Sequence, residues 1–178
     1  MLANAAAGAV VGKLGTRVGC DKFHVLMWKT GSASHTVHTM VDPKLLEAYR
    51  RTSFIIEAPH CEINLRVGEP SQAVDALLES YDAAKCAFIT AWNPRSIRLK
   101  APENRQRQSD LVELVRSRGH VFLPGRGIGK DASWPPEESV LVIGVDRDSA
   151  MELGRAFGQL AIVFKEIHRP AELLLCGR

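Results

Sequence analysis

Two adjacent carboxylates, Glu137 and Glu138, are the groups of this chain best suited to move a proton or ligate a metal. Neighbours on a strand point to opposite faces, so at most one of the pair can face a site, and Glu138 is taken as that one. Asn93, Asn104 and Gln159 carry amides that orient a ligand without adding charge. The plainer reading of the carboxylates is strand-end charge in water. For Gln159 it is a cap on the carbonyls of a helix end.

A second constellation is cationic. The run Asn93-Pro94-Arg95-Ser96-Ile97-Arg98-Leu99-Lys100 precedes a helix, and Arg105, Arg107, Arg116, Arg118, Arg126 and Lys130 make the central third of the chain basic. A basic loop at a helix start can hold a phosphate or carboxylate. Its ordinary alternative is a solvated face, with Asn93-Pro94 shaping a turn. Gly125-Arg126-Gly127-Ile128-Gly129-Lys130 has the glycines of a phosphate cradle. No Lys-Ser/Thr opens a helix after it, so a flexible loop or lid fits better. Trp134 serves as a loop anchor or as a stacking platform.

Histidine and cysteine offer less. His35 and His38 have a metal-ligand spacing but no third ligand nearby, and Cys20, Cys61, Cys86 and Cys176 form no CxxC pair. No metal site is expected, and no cofactor is implied. Cys86 opens an apolar run, where a buried free thiol is the expectation. Scattered cysteines fit a reducing compartment, and a cytoplasmic location is inferred. No Ser/His/Asp or Cys/His arrangement follows from spacing.

These groups are positioned by a regular series of elements. Asp42-Pro43 starts a helix with Leu45, Leu46 and Tyr49 inward. Strands follow at 53–58 and 61–67, a helix from Ser71 to about Ser80, and a strand from Lys85 to Trp92. Pro102 opens a helix to about Arg118, His120–Leu123 is a short strand, and 124–136 is a Gly/Pro-rich loop. A strand at 140–145, a helix capped by Asp148, and strands at 160–164 and 173–176 complete the chain. The expected fold is α/β in the α+β sense. It has a single mixed sheet of six to seven strands, two β-α-β units and terminal hairpins.

The β-α-β units suggest that distant polar segments meet. Parallel strands gather their ligand-binding loops at their C-terminal edge. The strand ending at Thr90-Ala91-Trp92-Asn93 reaches that edge, and Asn104 shares a helical stripe with Gln108, Leu111 and Val115, so it points inward there. If strand 140–145 runs antiparallel to strand 120–123, then Gly125, Arg126, Trp134, the glutamates and Gln159 arrive at the same edge. The candidate ligand-binding set is therefore Thr90, Trp92, Asn93, Asn104, Gly125, Arg126, Trp134 and Gln159, with Glu138 as the candidate catalytic residue.

Composition sets the bounds. With 178 residues, 46% apolar and 24% charged, the chain can bury a core, and a formal charge of +3 does not by itself imply nucleic acid. No apolar run reaches the ~18 residues of a membrane span. The alanine-rich start, Met1 to Val11, has no basic residue ahead of its apolar stretch, unlike a signal segment. The expectation is a poorly ordered tail over residues 1–40 and a single domain over 41–178.

Several runs then combine: Ala87-Phe88-Ile89-Thr90-Ala91-Trp92-Asn93-Pro94-Arg95-Ser96, Glu103-Asn104, Leu123-Pro124-Gly125, Trp134-Pro135-Pro136-Glu137 before Ser139, and Phe157-Gly158-Gln159. In this order they resemble the bacterial domain-of-unknown-function family 3293, over about Val41 to Cys176. Two positions depart from that pattern: Arg126 stands where an acidic residue is expected, and Leu160 where Asn is expected. The resemblance implies a small bacterial or phage-type cytosolic domain and no particular activity.

Three function classes remain, in this order. The first is a binding domain for a small anion, a nucleotide or a nucleic-acid phosphate. The second is a small enzyme using Glu138 with Asn and Gln positioning groups. The third is a protein-interaction module without catalysis.

Overall fold

The computed structural model describes residues 42–131 and 134–177. The expected tail over 1–40, the His35/His38 pair and Cys20 lie outside the described residues.

Strands β1 (Ser53–Glu57), β2 (Glu62–Leu65), β3 (Lys85–Ile89), β4 (Val121–Ile128), β5 (Glu137–Ile143), β6 (Ala161–Glu166) and β7 (Glu172–Leu175) form one seven-stranded sheet in the order β2-β1-β4-β5-β3-β6-β7. Helices α1 (Pro43–Arg50), α2 (Gln72–Ser80), α3 (Ala101–Ser117) and α4 (Arg147–Ala156) connect them. The fold is α+β, and β1–β2 and β6–β7 are the expected terminal hairpins.

Every adjacent strand pair is antiparallel, so the sheet is not the mixed one expected from the β-α-β units. The units are nonetheless present. β3 and β4 both run antiparallel to β5, which lies between them. β5 and β6 both run antiparallel to β3, which lies between those two. Each crossover thus leaves a gap that a strand of the other unit fills, which is the split β-α-β arrangement of ferredoxin-like sheets.

The strand alternation divides the core. On one face α3 and α4 bury Leu111, Val115, Ala150 and Leu153 against Ala87, Ile89, Val140, Val142, Ile162 and Phe164. On the other face α2 buries Val74, Leu77 and Leu78 against Phe54, Ile56, Leu65, Phe88, Leu141 and Val163. The sheet curls around this second core until its outer strands nearly meet. Val67, just beyond β2, forms a parallel bridge with Ala171, just before β7, and the N–H of Gly68 donates to the Ala171 carbonyl at 2.7 Å.

Two local expectations are corrected. The Gly-rich run after Leu123 is a strand as far as Ile128, because it pairs with β1 on one side and β5 on the other. Gly125 makes this possible. A Cβ there would lie 2.6 Å from the Ile55 carbonyl oxygen and 2.8 Å from the Phe88 ring. Helix α4 is capped by Asp146 rather than Asp148: the Asp146 carboxylate accepts from the Ser149 N–H at 2.9 Å.

Within the second core Lys165 is almost fully buried. Its ammonium donates to Asp75 Oδ1 at 2.5 Å and to the carbonyls of Glu166 and Arg169 at 2.9 and 2.7 Å. Three donors and three acceptors are matched, which is the condition for tolerating a buried ammonium. Burial works against the Asp75 charge. Hydrogen bonds from Lys165 and from the His168 N–H, with the Lys165 charge, outweigh it and hold the carboxyl below its usual range.

Candidate functional site

The segment after β3 does not continue the sheet. It turns sharply, and Asn93, Arg95 and Ser96 all have positive φ, at 46°, 54° and 58°. Left-handed backbone outside glycine is uncommon, and three instances within four residues store strain that the surroundings must hold.

Side chains from α3 and from the turn between α4 and β6 supply that hold. Asn104 Oδ1 accepts from the Asn93 N–H at 2.9 Å, and Asn104 Nδ2 donates back to Asn93 Oδ1 at 2.9 Å. Gln108 Oε1 accepts from the Ala91 N–H at 3.0 Å. Arg107 donates to the carbonyls of Ala91 and Phe157 at 2.9 and 2.5 Å. Gln159 Nε2 donates to the Trp92 carbonyl at 2.9 Å, and the Arg95 N–H donates to the Gly158 carbonyl at 2.9 Å. The pairing follows from α3: an amide one turn before Gln108, on the stripe that buries Leu111 and Val115, can only face the sheet edge.

Asn93 then carries the hold outward. Its Oδ1 also accepts from the Leu99 N–H at 2.9 Å, closing the loop, and its Nδ2 donates to Glu137 Oε1 at 2.5 Å. Trp134 Nε1 donates to the same oxygen at 2.9 Å, and the Arg98 guanidinium stands 5.0 Å above the Trp134 ring. The second carboxylate oxygen of Glu137 takes no protein donor among the described residues.

Glu137 lines a cleft of about 620 Å³ on the α2 side of the sheet. The cleft lies beside the second core, with Phe54, Phe88, Val163 and Leu173 on its floor strands and Leu45, Ala48 and Tyr49 contributed by α1. Phe54 and Phe88 meet edge to face, 5.4 Å between ring centres. Thr90, Asn93, Ser96, Trp134, Ser139 and Gln159 complete a polar end, and Lys44 and Lys130 also reach the lining. Burial raises the Tyr49 hydroxyl above its usual pKa, a hydrogen bond with Ser96 opposes that rise, and the nearby Glu137 charge adds to it.

The structure therefore brings together Thr90, Trp92, Asn93, Asn104, Trp134 and Gln159. They divide into two groups. Asn93, Thr90, Trp134 and Gln159 line the cleft, whereas Asn104 is spent on the loop backbone. Thr90 Oγ1 donates to the Glu138 carbonyl at 2.7 Å and accepts from the Trp92 N–H at 3.1 Å. The Trp92 ring is buried, and its Nε1 has no hydrogen-bond partner.

Three residues stand elsewhere. Glu138 is exposed on the opposite face of β5, beside Arg126 across the β4–β5 pairing. Glu137, its neighbour, holds the position foreseen for it. Arg126 also faces away from the cleft and donates to Glu57 at 2.8 Å and to both oxygens of Glu62 at 2.8 and 2.9 Å. Its charge is thus answered within the sheet, and the departure at this position does not touch the cleft. Gly125 sits under the Phe88 ring, where it shapes the floor. Gln108 and Arg107 are the supporting residues that sequence reasoning left unassigned. The signal for Gln108 was present, a polar residue on the buried stripe of α3.

Among the described residues no cluster of three or more His, Cys, Asp or Glu could hold a metal ion. Cys86 and Cys176 are buried free thiols, and burial pushes them up to about 12 and about 11. No helix of the described residues is long and apolar enough to cross a membrane.

Comparison with known proteins adds one match. Residues 89–162 match the family described as "Protein of unknown function (DUF3293)". No curated protein and no solved structure is significantly similar to the chain. The matched segment runs from the end of β3 through α3, β4, β5 and α4 into β6, and so includes the strained loop, its buried supports and Glu137. Through this segment the chain is similar to the DUF3293 family of proteins of unknown function.

Proposed function

We propose that this domain binds a small molecule in the cleft between α1 and the sheet. One observation carries the reading. A loop strained at three left-handed residues is fixed by buried amides and a guanidinium, and the outcome of that fixing is a polar end on a largely apolar cavity. Small-molecule sites have this form, an apolar lining of a few hundred Å³ with a few placed polar groups. Strained backbone concentrates at such sites.

An anionic ligand is the second reading, favoured by Lys44 and Lys130 in the same lining. Arg126 does not add to it, being engaged by Glu57 and Glu62. Carboxylate catalysis in the cleft would fall to Glu137, because Glu138 lies on the other face.

The test is thermal stability against a panel of amines, organic acids, nucleotides and short oligonucleotides. A ligand at about 100 times its Kd stabilises by ~2.7 kcal/mol. Ala48→Trp would fill the cleft from the exposed helix α1 without touching the core. A stabilising small molecule whose effect disappears in Ala48→Trp is the expected result. Stabilisation by oligonucleotides alone, unchanged in Ala48→Trp, overturns the reading.

A further inference from the structure

Resting on the reading of the cleft as a small-molecule site, we propose that its ligand carries a protonated amine, which pairs with the open oxygen of Glu137, on an aromatic or branched apolar body. The charged groups in the cleft differ in how they are held. Lys44 and Lys130 are at the ends of long, flexible side chains, and neither side chain has an ion pair or hydrogen bond among the described residues. Glu47 and Arg51 neutralise each other at 2.7 Å. Glu137 is fixed, with two donors on Oε1, and both donors are themselves anchored. Asn93 is locked by Asn104, and Trp134 is tied by its N–H to the Asp131 carbonyl at 3.0 Å.

A group already held in its binding geometry loses less freedom when a ligand arrives. The fixed charge in this cleft is therefore negative. Neither neutral donor on Oε1 cancels it, and Oε2 remains to accept from a ligand. An ammonium provides both a positive charge and N–H donors, and charge-assisted bonds of this kind are the stronger class. The surroundings fit such a ligand. Tyr49, Phe54, Phe88 and Trp134 line the same cavity and can contact an apolar body, and aromatic faces also attract a cation.

Three probes of one shape separate the possibilities: 2-phenylethylamine, 2-phenylethanol and 3-phenylpropanoate, titrated into the full chain at pH 7 and followed by calorimetry. The amine is expected to bind about tenfold or more tightly than the alcohol, with the carboxylate weakest. Glu137→Gln, which keeps an acceptor for Asn93 and Trp134, is expected to reduce the amine's preference over the alcohol to about twofold or less. Equal affinity of amine and alcohol in the wild-type chain overturns the proposal, and needs no variant to be read. Tighter binding of the carboxylate also overturns it, while leaving the cleft as a small-molecule site with Lys44 and Lys130 as its anchors. If none of the three binds, the proposal fails. The cleft reading fails with it only if Ala48→Trp also leaves every hit of the wider panel unchanged.

Discussion

Asn93 and Asn104 hold each other twice: the Asn93 N–H meets Asn104 Oδ1, and Asn104 Nδ2 meets Asn93 Oδ1, each at 2.9 Å. Both residues are buried, so neither can turn to water if the other is lost. Replacing Asn104 by Ala leaves the Asn93 N–H unpaired in the interior, at about 1–3 kcal/mol, while Asn93 Oδ1 keeps the Leu99 N–H. The expected result is a loss of ~1–3 kcal/mol in denaturant unfolding. Loss of ligand binding should accompany it even under conditions where the variant remains folded. An Asn104→Ala chain with wild-type stability would mean that the loop is held by other means.

The Asp75–Lys165 pair sets a pH dependence. The Asp75 carboxyl is held below its usual range in the folded chain, so the unfolded chain takes up the proton first as pH falls. The stability it contributes is present above the unfolded carboxyl value of about 4 and is lost as pH falls through the lower folded value. Urea titrations from pH 7 to pH 2 should show this acid limb in the wild type. Asp75→Asn should lack it and should be less stable at pH 7 by ~3–5 kcal/mol, because the buried Lys165 ammonium loses its counter-charge. An unchanged acid limb in Asp75→Asn would assign it to other carboxyls.

Gly125 tests the cleft floor. A methyl group there meets the Ile55 carbonyl oxygen and the Phe88 ring at distances that real side chains do not reach. The backbone on one side cannot move without opening the β1–β4 pairing, so the ring must give way. Gly125→Ala is expected to cost ~1–3 kcal/mol, typical of overpacking, and to change ligand affinity through Phe88. A neutral effect on both would show that the ring has a second position.

Arg126 and Glu137 provide a paired control. Arg126→Ala removes an exposed three-way ion pair on the face away from the cleft, and should leave binding of any cleft ligand unchanged. Glu137→Gln should weaken the same ligand by about tenfold. Titrations of the two variants side by side check this. The reverse order of effects would move the site to the opposite face.

The sequence carried the fold further than the site. Continuous apolar runs marked β3 and β5, and the four-residue stripe of Asn104, Gln108, Leu111 and Val115 placed both amides inward. The choice between Glu137 and Glu138 could not be made the same way. β5 is buried on both faces over Val140–Ile143, so its hydropathy does not distinguish the α2 side from the α3 side. Gly125 resembles a loop glycine because its value is local clearance. That clearance depends on Phe88, which lies far away in sequence and reaches the glycine only across the sheet. The Lys165–Asp75 pair has the same character: nothing near Lys165 in sequence announces a buried counter-charge on α2.

The bridge between Val67 and Ala171 has a mechanical meaning. An open sheet can be unpeeled from either outer strand. Here the ends of the two outer hairpins are tied to one another, with Gly68 donating to Ala171 and Ala171 donating to Glu69. Tension on β7 is shared between β6 and the turn after β2, so the first and last strands of the sheet loosen as one event. Removing the chain beyond Arg169 would then release more than its own strand. It would unclasp the hairpin at the other end of the sheet, and with it α2, the helix that follows that turn.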